Sequence, residues 1–97
     1  MRRRFVVSID EESESSVKQM LALLNSFDSL GWWHYTKGNW LVIDPIGNLT
    51  TKTLRDKIMN TFPQVNHLVL EISPGGTWNG FGPADMGKWL DEQWDSN

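Results

Sequence analysis

The sequence contains no cysteine, only two histidines and a single tyrosine. The missing cysteine excludes disulfide staples and thiolate metal sites, and fits a reducing compartment. No apolar run approaches the roughly 18 to 20 residues that span a bilayer, so no membrane partner is expected. Basic residues open the chain at Arg2-Arg3-Arg4, but the apolar run Phe5 to Ile9 is too short for a signal-peptide core and acids follow at once. A cytoplasmic protein is expected. Positive charge is also in short supply: nine Lys and Arg against twelve Asp and Glu give −3, which leaves no overall basic field to draw the chain to nucleic acid. Two histidines without a glycine-flanked nucleophile elbow offer no Ser-His-Asp arrangement. The stretch Pro74-Gly75-Gly76-Thr77 lacks the lysine that a phosphate loop needs.

What the chain does have is a large aromatic content in a short length. Ninety-seven residues, 39% hydrophobic with six tryptophans, make one domain, residues 1–97, with no room for a second core. The stretch GWWHYTKGNWLVID, Gly31 to Asp44, is its organising element. Two β-type runs, Trp32 to Thr36 and Trp40 to Ile43, flank Lys37-Gly38-Asn39, which reads as a hairpin turn. A three-residue loop places Trp33, Tyr35, Leu41 and Ile43 on one face and Trp32, His34, Trp40 and Val42 on the other. A two-residue loop instead groups Trp33 and Tyr35 with Trp40 and Val42. The first grouping is preferred because it collects aliphatics with aromatics in a core.

Around the hairpin the chain alternates strand and helix signals. Arg4 to Asp10 alternates as a strand with Phe5, Val7 and Ile9 on one face. Ser13 or Asp10 can cap the helix that follows, where Glu11, Glu12 and Glu14 suit the positive end of the helix dipole. Its stripe is Val17, Met20, Leu21, Leu24 and Phe27, with Leu23 beside it. After a Pro-Gly-Asn loop, Thr50 is a candidate cap, and Leu49 with Leu54 sits at staple spacing. Leu54, Ile58, Met59 and Phe62 form the second stripe, and Pro63 stops it. Val65 to Ser73 alternates again, with Leu68, Leu70 and Ile72 opposite His67, Val69 and Glu71. A Gly-rich loop carrying Trp78 and Phe81 leads to a third helix marked by Met86, Trp89, Leu90 and Trp94. The order predicts an α+β fold, a ferredoxin-like βαββαβ sandwich of a four-stranded antiparallel sheet with two helices on one face, plus an extra C-terminal helix. One sheet face is then left open, showing Val6, Val69 and the hairpin residues Trp32, His34, Trp40 and Val42. An apolar patch of that kind marks an interface. A second surface is expected at the Trp78 loop.

The strand FVVSID, the WWHY and NWLVID arms of the hairpin, the LVLEI strand and the closing segment from Trp78 through Pro83-Ala84 to Trp89-Leu90 carry a family resemblance. In these the chain resembles the small bacterial proteins called SinR-like, which are similar to the small CRISPR-associated ferredoxin-fold subunit found with the integrase. The resemblance implies a ferredoxin-like fold, face-to-face homodimerisation and a setting in mobile-element or defence loci. In the CRISPR-associated family an aspartate closing the first strand holds a metal ion at the dimer interface for phosphodiester cleavage. Asp10 matches that position. The family's aromatic before that aspartate is replaced by Ile9, and the acids after Asp10 would repel a phosphodiester backbone.

These observations favour a non-catalytic binding module, a homodimer acting by protein–protein contact in phage or mobile-element conflict, for instance by inhibiting a nucleic-acid-binding complex. No cofactor is required by that reading. A protein partner is favoured over nucleic acid because the chain is acidic. The alternatives are a Mg²⁺-dependent nuclease with Asp10 paired across a dimer, and single-strand binding by stacking on the aromatics. His34, between aromatics on a strand, is expected to be structural rather than a general base.

Overall fold

The structure, a computed structural model, describes residues 2–10, 13–34 and 37–95. They form β1 (Arg3–Ile9), α1 (Glu14–Asn25), β2 (Gly31–His34), β3 (Asn39–Asp44), α2 (Thr51–Thr61), β4 (His67–Ile72) and α3 (Ala84–Trp89), whose last stretch, Leu90–Trp94, widens into a π turn. The strands pair in the order β2-β3-β1-β4, all antiparallel. This is the ferredoxin-like arrangement with an added C-terminal helix. Glu11, Glu12, Tyr35 and Thr36, used in the sequence-based expectations above, lie outside the described residues.

Local chemistry accounts for the element ends. Ser13 caps α1 by accepting from the Ser16 N–H at 3.0 Å, and Ser16 returns the bond through its Oγ at 2.8 Å. Asp10 is therefore not the cap. Thr50 caps α2, accepting from the Thr53 N–H at 3.1 Å. Gly38, in the hairpin turn, has φ +69, and a side chain there would run into the Ile9 carbonyl. At the same point the Ile9 N–H donates to the Gly38 carbonyl at 2.7 Å, so the turn is tied directly to the central strand.

The sheet separates two apolar clusters. On one face Phe5, Val7, Trp40 and Val42 pack under α1 and α2 with Met20, Leu24, Leu54 and Ile58. Each fully buried side chain of this kind contributes roughly 1.5–3 kcal/mol. The helix ion pairs Glu14–Lys18 and Lys52–Asp56 are exposed and screened by water, so burial dominates. On the opposite face Ile43 packs with Met86, Leu90 and Trp94, flanked by Val6, Trp33, Leu41 and Ile72.

The preferred hairpin grouping holds, with a shifted register: Trp33 pairs with Leu41 and His34 with Trp40. Its facing is the reverse of the expectation. Trp40 (3% exposed) and Val42 (0%) point into the α1–α2 core, and Trp32 and Val69 pack on that same cluster. Parity alone could not decide this, since both hairpin faces carry large apolar side chains. The tie is broken by β1: Val42 pairs with Phe5 and Trp40 with Val7, and Phe5 and Val7 line the face that meets the helices. His34 stacks on Trp40 on that same side, and Val6 alone of the proposed open face lies on the other.

Asp44 closes β3 and is buried at 4% exposure. Its carboxylate accepts from the Ile46 N–H at 3.0 Å and the Leu49 N–H at 2.7 Å, which shapes the loop into α2. Burial pushes its pKa up, but the backbone N–H groups of Leu49, Gly47, Ile46 and Asn48 outweigh that and hold it below the ordinary carboxylate value. A depressed folded-state pKa stabilises the fold above the unfolded-state pKa, and that contribution disappears as pH falls through the folded-state value. The urea midpoint is therefore expected to be flat near neutrality and to fall below about pH 4, the unperturbed aspartate value. Asp44→Asn should cost about 1–3 kcal/mol at pH 7 and flatten part of the acid limb; an unchanged acid limb would refute the assignment.

Candidate functional site

The second sheet face is the part of the molecule that bears on function. It was expected to be open, and α3 with its π turn crosses it. The anchor is Arg4, whose side chain rises from the central strand and is buried at 7% exposure. Its Nη2 donates to the Ser73 carbonyl at 2.7 Å, and its guanidinium lies 5.3 Å from the centre of the Trp94 ring. Nη1 stands 3.8 Å from Asp95 Oδ1, and the other Asp95 oxygen accepts from Trp78 Nε1 at 2.7 Å. One arginine thus joins β1, the end of β4, the π turn and the Trp78 loop. The π turn contributes to this: the Asp95 N–H reaches back to the Leu90 carbonyl at 2.9 Å, which sets Asp95 between Arg4 and Trp78.

The cover is partial. Between the hairpin, the 77–81 loop and α3 lies an apolar groove of about 430 Å³ lined by Trp33, Leu41, Ile72, Trp78, Phe81 and Met86. A broader cleft beside it is bordered by the charged residues Arg2, Arg3, Arg4, Glu71, Asp91 and Asp95 together with Ile72, Trp78 and Trp94. Toward the outer strand β4 the helix stops short. Leu68 and Leu70, on the α3 side of the sheet, remain 56% and 49% exposed, and Phe81 is 95% exposed.

The residues singled out from sequence are thus divided among three places. Trp32, Trp40, Val42 and Val69 belong to the α1–α2 core. Trp32 and Trp40 have ring centres 5.7 Å apart, and His34 stacks on Trp40 at 3.8 Å and 9°. His34 Nδ1 donates to the Asn39 carbonyl at 3.0 Å. Val6 and Trp78 belong to the face under α3. Asp10 is exposed at the end of β1, with its backbone N–H on the Asn66 carbonyl at 2.9 Å. Among the described residues no group of three or more His, Asp or Glu side chains converges as a metal site. Sequence reasoning missed Leu68 and Leu70. The alternation placed Leu68 and Leu70 on one face, but only the sheet order and the reach of α3 show that this face is left uncovered there.

The basic N-terminal segment is largely spent internally. Arg3 donates to both Glu71 oxygens, at 2.9 and 2.8 Å, and Arg4 is committed to Ser73, Trp94 and Asp95. No helix among the described residues is long and apolar enough to cross a membrane. The fold and site define a ferredoxin-like α+β domain whose second sheet face is partly roofed by its own C-terminal helix. No protein-family model, curated protein or solved structure matches the chain.

Arg4→Met should therefore loosen α3 without emptying the main core. The expected loss is about 2 kcal/mol, the scale of a charged hydrogen bond, with a red shift of tryptophan emission as Trp94 and Trp78 meet water. Arg4→Lys keeps the charge but not the planar fork, and should recover less than half of it. Wild-type stability in both variants would show that the arginine does not hold the helix.

Proposed function

We propose that this protein is a non-catalytic interaction module that works by protein–protein contact, with a second copy of itself as one partner. The observation that supports the reading most directly is the pair Leu68 and Leu70, left exposed on a sheet face whose other apolar residues pack at least partly against α3. The internal pairing of Arg3 and Arg4 favours a protein partner over a nucleic acid, because these guanidiniums are already neutralised. Base stacking is disfavoured on the same face, since Trp33 packs with Trp89 at 6.0 Å between ring centres and Trp94 lies over Arg4. The setting in phage or mobile-element conflict rests on the resemblance to SinR-like proteins. An acidic module of this kind suits a basic partner, such as the nucleic-acid-binding surface of a defence complex.

Sedimentation equilibrium across the micromolar range should give the mass of a dimer, and a monomer at every concentration would overturn the self-association. The competing nuclease reading, with Asp10 holding Mg²⁺, is separated by a second measurement. RNA and DNA incubated with the protein and Mg²⁺ or Mn²⁺ should remain intact. Cleavage that requires the metal and disappears in Asp10→Ala would replace the binding module with an enzyme.

A further inference from the structure

β4 is an outer strand of the sheet, and Glu71 is the one charged side chain it carries against edge pairing. The run His67-Leu68-Val69-Leu70-Glu71-Ile72 has no lysine, proline or glycine, and its pairing with β1 is unbroken by a bulge. The direction of its backbone groups follows from the ladder. The Asp10 N–H bonds to the Asn66 carbonyl, while the Ile9 N–H bonds across to Gly38 on the other side. Alternation from that point turns the N–H and C=O of Leu68 and Leu70 toward β1, and those of His67, Val69 and Glu71 toward the unpaired edge.

The same five residues are complementary to themselves when the strand is reversed. About a two-fold axis at Val69, Leu68 stands opposite a second copy's Leu70, and His67 opposite its Glu71. Leu68 and Leu70 are 56% and 49% exposed, on the side that α3 does not reach. Glu71 is held in place by the two Arg3 donors, and His67 Nδ1 donates to the Val65 carbonyl at 2.9 Å, so that bond does not occupy Nε2. Apolar faces apolar and base faces acid, as an isologous contact requires.

We infer that two copies of this chain pair antiparallel through β4, with the two-fold axis at Val69, to make one continuous eight-stranded sheet. This rests on the self-association proposed above and specifies its surface and register. The four leucines of the two copies form a single apolar cluster beside the two C-terminal helices, and the backbone groups of His67, Val69 and Glu71 gain partners. A contact of this length is at the small end of protein interfaces, so association in the micromolar range is expected.

The test is self-association of the full chain by sedimentation equilibrium, with circular dichroism as the check on folding. Val69→Pro removes an N–H that points to the edge and none that bonds to β1, and it should abolish dimerisation. Leu68→Glu and Leu70→Lys, at exposed positions, should each weaken it by about tenfold, equivalent to roughly 1.4 kcal/mol. An equimolar mixture of those two variants should recover a heterodimer, because the axis at Val69 sets the introduced carboxylate against the introduced ammonium and leaves a Leu–Leu pair on the other side. A wild-type dimer indifferent to all three changes would overturn the edge pairing while leaving self-association through another surface standing. A wild-type monomer would overturn both. Weakened single variants with no rescue on mixing would overturn the axis at Val69.

Discussion

The burial of one guanidinium decides how this small domain uses its sheet. A four-stranded layer has two faces, and α1 with α2 covers only one. Arg4 projects from the central strand into the other, where an unpaired charge would be expensive. The cost is offset by the Ser73 carbonyl, the Trp94 ring and Asp95, and these come from the end of β4 and the π turn. Satisfying Arg4 requires the C-terminal helix to lie across the sheet, the same placement in which Met86, Leu90 and Trp94 bury their surface against Ile43. Polar need and apolar gain act in the same direction.

That arrangement redistributes the available surface. The hairpin tryptophans, the most conspicuous residues in the chain, are occupied with packing: Trp32 and Trp40 beneath α1 and α2, Trp33 against Trp89. What remains exposed is less conspicuous. Leu68, Leu70 and Phe81 are the large apolar groups near α3 that the chain leaves to water, and two of them sit on an edge strand whose backbone groups face outward. A surface built of strand edge and leucine side chains suits association by backbone pairing.

Much of the architecture was legible because local rules and the global fold agree. The Ser13 and Thr50 caps, the Leu54 and Ile58 stripe and the alternation of Phe5, Val7 and Ile9 each point to the element that forms. The hairpin was harder. Alternation separated neighbours within each arm but left two cross-strand groupings open; the one preferred for its core, Trp33 with Leu41 and Ile43, is the one that forms, yet it carries no label saying which set meets the helices. Both sets are apolar because both faces are covered, one by α1 and α2 and the other by α3. The interface expected from Trp32, Trp40 and Val42 depended on that missing label.

The amino-acid sequence by itself determined the order of strands and helices, their caps and the parity of side chains along each strand, because these depend on neighbours a few positions away. The tertiary structure alone decided which hairpin face is interior, where Arg4 finds its partners and which stretch of sheet stays uncovered. Those outcomes depend on groups as far apart as Arg4 and Asp95. Such groups meet only when the whole chain has closed, and no local pattern encodes the distance between them.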